Sequence, residues 1–125
     1  MPQTAETTQK FEGRITRVLN GSGAIERCPE CNRVLVNDHC VVHLDVDPVE
    51  DLRVKAEISS GETLVFNGDF VQHILGISPG DAHALPEHDI LNVVQEKFTG
   101  KEIEVTASQI SDEDMWYVEE IHNMR

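Results

Sequence analysis

No stretch of this sequence is apolar for long enough to span a membrane. The first ten residues are polar and threonine-rich, so they read as a loose tail over 1–10 and not as an export signal. Three cysteines cannot all pair within one chain, which argues against a disulfide framework. With no export signal and thiols free to bind metal, the expected compartment is the cytoplasm. Aromatic residues are scarce, with four Phe, one Trp and one Tyr, so any stacking surface is small. Neither a phosphate-cradling glycine loop nor a nucleophile–base pair can be found. The acid pairs Asp112/Asp114 and Glu119/Glu120 read as solvated turn and strand residues. The expectation is a protein that is not an enzyme.

Basic residues are few and unevenly placed. Residues 1–43 carry five basic and five acidic side chains, whereas residues 44–125 carry five basic and eighteen acidic ones. The net charge of −13 therefore belongs to the second part. An anionic partner is expected to approach the first third of the chain, or a local stripe beside it.

What is there centres on Cys28-Pro-Glu-Cys31, eight residues, then Cys40-Val-Val-His43. Two ligands separated by two residues turn inward onto one ion, and a second knuckle supplies the other half of a tetrahedron. Cys28, Cys31, Cys40 and His43 thus predict one structural Zn2+, closed by four protein ligands with no position left for water or substrate. His39 is the alternative fourth ligand, ranked lower because it breaks the two-residue gap. A zinc deaminase needs His-x-Glu ahead of Pro-Cys-x-x-Cys, and neither motif is present. The other histidines, His73, His83, His88 and His122, share no ligand spacing and read as surface or helix-end residues.

The periodicity predicts a first strand over 11–19, with Phe11, Ile15 and Leu19 on one parity, Arg17 the exception, and Glu12, Arg14 and Thr16 on the other. A metal-tied ribbon follows at about 24–46. Residues 51–58 alternate strictly, Leu52, Val54, Ala56 and Ile58 on one face and Asp51, Arg53, Lys55 and Glu57 on the other, which predicts a half-buried antiparallel strand. Ser59–Glu62 is a hairpin turn into a return strand, 63–67. Asp69 is expected to cap a helix ended by Gly76, Ser78-Pro79 to start a short one, and Pro86 to open a longer one stopped by Gly100. Strands over 101–107 and 115–121 complete the chain. The fold class is mainly β: a five-stranded OB-fold barrel spanning 11–125, with a zinc ribbon inserted after the first strand and a helical segment between strands 3 and 4.

The runs Gly-Ser-Gly-Ala-Ile-Glu-Arg-Cys-Pro-Glu-Cys (21–31), Arg-Val-Leu (33–35), Cys-Val-Val-His (40–43) and Asp-Leu-Arg-Val-Lys-Ala (51–56) resemble the zinc-bearing OB domain of archaeal replication protein A. That family coats single-stranded DNA in replication and repair. The resemblance is strongest over 21–58, and beyond that it rests on element order and on Leu-Gly-Ile-Ser at 75–78. It implies single-stranded DNA and other OB-fold subunits or domains of a replication protein A type complex as partners, without membrane association, and a nucleoid-associated place in the cytoplasm. The DNA groove of such a barrel crosses its second and third strands, where Arg53 and Lys55 lie, with Arg14 and Arg17 from the first strand and Arg33 from the ribbon. Trp116 and Tyr117 point to opposite sides of the last strand, and the outward one is the stacking candidate. The alternative is a zinc-stabilised assembly module of such a complex that does not itself grip DNA.

Overall fold

In a computed structural model of the chain, residues 6–20, 22–31, 35, 39–40, 44–110 and 114–125 are described. β1 (Glu6–Val18) and β2 (Gly23–Arg27) run one after the other along β5 (Val49–Ile58), both antiparallel to it. The turn between them is stitched to β5 as well: the Leu19 amide donates to the Lys55 carbonyl, and the Ser22 hydroxyl accepts from the Lys55 amide, both within 2.8 Å. β3 (His39–Cys40) and β4 (Leu44–Asp45) form a separate two-stranded ribbon at the far end. β6 (Thr63–Phe66) returns beside β5. Three helices follow: α1 (Gly68–Leu75), α2 (Pro79–His83) and α3 (Glu87–Phe98). β7 (Glu102–Ile110) and β8 (Met115–Met124) end the chain.

The pairings close on themselves in the order β1-β7-β8-β6-β5 and back to β1, with β6 parallel to β8 and β2 continuing along β5. The order of elements, a helical segment between β6 and β7 included, is consistent with the OB fold. The inner face is apolar throughout. Leu52, Val54, Ala56 and Ile58 of β5 are buried as their alternation requires, and Phe66 meets Phe98 of α3 edge-on at 5.3 Å between ring centres. Arg17 breaks the parity of β1 for a visible reason: the register to β5 shifts between Ile15 and Arg17, and that bulge turns Arg17 outward while Phe11 and Ile15 stay in the core.

Two expectations are corrected. Residues 6–10 are not a tail, because Glu6–Lys10 pair with Ile110–Thr106 of β7. Backbone hydrogen bonds and the Lys10–Glu104 ion pair hold this segment, and neither leaves an apolar signature. Nor does Asp69 cap α1. Asn67 is the cap residue, without a side-chain bond, and Asp69 lies in the first turn. A second carboxylate at the helix start comes from elsewhere in the sequence. Asp51 of β5 lies so close to Gly68 that a Cβ there would overlap its Oδ1. A negative charge is favourable beside helix N-terminal amides. Asp51 also accepts the Leu52 amide and pairs with the mostly buried Arg27 guanidinium, one residue before Cys28. Gly68 therefore permits a junction between the ribbon, β5 and α1.

Gly68→Ala should lower stability by about 1–3 kcal/mol, because the added methyl displaces Asp51. Gly80→Ala, on open surface in α2, serves as the control and should leave the urea midpoint nearly unchanged.

Candidate metal centre and nucleic-acid interface

Cys28 leaves β2 at the edge of the ribbon, Cys31 lies three residues on, and Cys40 is delivered by β3. Their three Sγ atoms lie within 4.8 Å of one another, with Cys28 and Cys40 buried. Cys31 and Cys40 stand 3.6 Å apart, Sγ to Sγ. A disulfide would need about 2.05 Å. Two thiolates on a tetrahedral zinc, each at about 2.3 Å, would be about 3.8 Å apart. The observed spacing fits metal ligands and not a bridge. The donor set of soft thiolates suits zinc among the common divalent ions. The connection carrying His43 lies outside the described residues, as does Arg33. His39, the alternative, is placed in β3 opposite Asp45.

The second candidate surface is the outer face of β5, β6 and β8. The register places Lys55 beside Val65, and Val65 beside Tyr117. Tyr117 is the outward member of its pair. Trp116 is inner: it lines up with Leu64 and meets Phe11 edge-on at 4.8 Å. Of the two neighbours, Tyr117 is the one that faces outward. The inner position of Trp116 follows from the parallel register with β6, which two adjacent aromatic residues cannot reveal. Val65 points outward by parity yet is only 2% exposed, so this face has an apolar floor that sequence alternation hides.

Arg53 joins this face from β5 opposite Gly23. Burial, and after it the neighbouring Arg27 guanidinium, hold Arg53 below its ordinary value, while Tyr117 pulls the other way. Lys55 is likewise lowered, first by burial and then by Arg53. Two partly desolvated cations that repel each other gain when an anion arrives between them. Arg17 borders the patch but is engaged with Glu57 at 3.3 Å. Arg14 is elsewhere: it pairs with Glu102, in a pocket it shares with Glu12, Glu104 and Arg125. The structure thus brings together Arg53, Lys55 and Tyr117, puts Arg17 at the edge, and separates Arg14 and Trp116 from them.

His83, which the sequence leaves as a helix-end residue, is a tie between elements. Its Nε2 lies 2.9 Å from the Ile25 carbonyl oxygen of β2, and its Nδ1 faces Glu50. No spacing rule reports such a contact, because it joins residues 58 apart in sequence.

Trp116→Ala should cost about 2–4 kcal/mol of stability through the lost contact with Phe11. Tyr117→Ala should cost less, and chemical denaturation of the two variants orders them.

No family model matches the chain, and no curated protein matches it. No described helix is long and apolar enough to cross a membrane. Among solved structures, the chain is similar to one in a replication protein A heterotrimer bound to ssDNA, with a TM-score of 0.60 and 12% identity over 98% of this chain. At that identity the likeness is one of fold, and the match spans 32% of the other chain, about a third of its length.

Proposed function

We propose that this protein is an OB-fold, zinc-ribbon subunit or domain that binds single-stranded DNA within a replication protein A type complex in the cytoplasm, at the nucleoid. The observation that carries the reading is the grouping of Arg53, Lys55 and Tyr117 on the outer face of β5 and β8. That face is where OB folds hold oligonucleotides, between the loop that here carries the ribbon and the loop joining the last two strands. Fold alone does not assign function, and it is this patch that supplies the chemistry for holding a nucleic acid. The two cations contact phosphates, and the phenol ring stacks on a base. The step is binding, with no bond made or broken, so the protein is not an enzyme in this reading.

The ribbon serves this by position. Cys28, Cys31, Cys40 and His43 would hold one zinc, which supplies on the order of 10 kcal/mol to folding. Arg27 and Asp51 pass the ribbon's position to β5, two residues before Arg53.

Fluorescence anisotropy with labelled oligo-dT tests the proposal. Saturable binding is expected, with a log–log salt slope of about −1.4 for two phosphate contacts. Arg53→Glu/Lys55→Glu should abolish it, and Tyr117→Ala should weaken it by about 1–3 kcal/mol. No saturation at low salt would overturn the DNA reading and leave the assembly role.

Chelation, or Cys31→Ser, should remove one zinc per chain by elemental analysis. It should also lower Tm by about 3–6 °C for each kcal/mol lost. An unchanged Tm after verified metal removal would count against a structural ion.

pH gives a third check. Lys55 is depressed below its ordinary 10.5 in the free protein, and a bound phosphate favours its charged form. Binding therefore takes up a proton in the alkaline window below 10.5, so affinity should fall as pH rises through that window. The sign for folding is opposite. In the same window the unfolded chain holds more protons, so this residue's contribution to stability rises with pH.

A further inference from the structure

α1 and the far half of β8 enclose a groove of about 730 Å³ that none of Arg17, Arg53, Lys55 or Tyr117 lines. Phe70 and Ile74, one helical turn apart on α1, form one wall, and Ile121 and Met124 of β8 form the other. All four are only partly buried against the core. Asp69, Glu119 and Glu120 stand in the same lining, all three exposed and acidic. The groove exists because β6 is short. β6 pairs with β8 only at Met115, Trp116 and Tyr117, so from Val118 onward this edge of β8 has no strand beside it among the described residues.

A free strand edge invites strand addition, but this one is ill suited to it. The register of β8 to β7 shifts twice, between the partners of Thr106 and Ala107 and between those of Glu104 and Val105. Such bulges twist an edge away from a regular ladder. What remains is recognition by side chains, an apolar stripe laid between a helix and a strand. We propose that this groove docks an amphipathic helix of a partner protein, with apolar side chains on one stripe and Lys or Arg along its flanks. The apolar stripe meets Phe70, Ile74, Ile121 and Met124, and the basic flanks meet Asp69, Glu119 and Glu120. This is helix-in-groove binding, in which charge complementarity selects the partner and the apolar contacts supply affinity.

The test uses the full chain and two labelled synthetic peptides with the same helical spacing, one of Leu and Lys and one of Leu and Glu. The Leu/Lys peptide should bind saturably by anisotropy and the Leu/Glu peptide should not. Glu119→Lys/Glu120→Lys, at exposed positions that leave the core intact, should weaken binding at least tenfold, and Ile74→Glu should do the same. Asp47→Lys/Glu96→Lys, the same change of charge at exposed positions outside the groove, should weaken it less than twofold. Absence of saturation, or equal weakening by Asp47→Lys/Glu96→Lys, would overturn the groove and leave only general attraction to an acidic surface. Oligo-dT should not compete with the peptide, so this result stands or falls separately from the DNA reading.

Discussion

Everything in this molecule is referred to one strand. β5 pairs with β6 on one side and with β1 and β2 in succession on the other, so its hydrogen bonds both close the ring and carry the chain out to the ribbon. Its inner residues are 0–1% exposed. A strand buried on one face has its register fixed, because a slip of one residue would put Arg53 and Lys55 into the core. The same constraint that makes the core thus determines which cations face outward. Asp51 adds a second restraint at one end of the strand, where it meets Arg27, the Leu52 amide and the start of α1.

The electrostatics of the outer face follow from the same geometry. The chain carries a net charge of −13, which opposes an approaching polyanion at long range. At physiological salt that field is screened over about 8 Å, whereas a partly desolvated patch acts at contact and is screened much less. Arg53 and Lys55 are lowered by burial and by like-charge neighbours, so the free protein carries a cost on this face that an anion relieves. On the opposite logic, the groove beside α1 concentrates acids around apolar side chains and suits a cationic partner. The two surfaces are of opposite charge and share no residue.

Much of this was legible in advance where periodicity carries the information. The alternation of 51–58, the Gly76 end of α1, with its left-handed φ of 74°, and the Ser78 cap of α2 are all local signals, and each is found in place. The approach of Cys28, Cys31 and Cys40 was readable because two-residue knuckles constrain thiols over short distances. Glu6–Lys10 was misread as tail, since pairing with β7 is a backbone affair that polar side chains do not advertise. Asp69 reads as a cap from local chemistry alone, whereas Asn67 takes that position and Asp51, distant in sequence, adds a second carboxylate at the helix start.

By itself, then, the sequence determined the order of the main elements, the inward face of β5 and the cluster of thiols, because all of these depend on neighbours along the chain. Only the tertiary structure decided that Tyr117 and not Trp116 shares a face with Lys55, that Arg14 stands apart from Arg53, that Val65 is buried beneath an outward face, and that a short β6 leaves a groove along β8. The reason is physical. Each of these depends on the register between strands distant in sequence, and register is set by closing the ring around a common core, a condition that no local window contains.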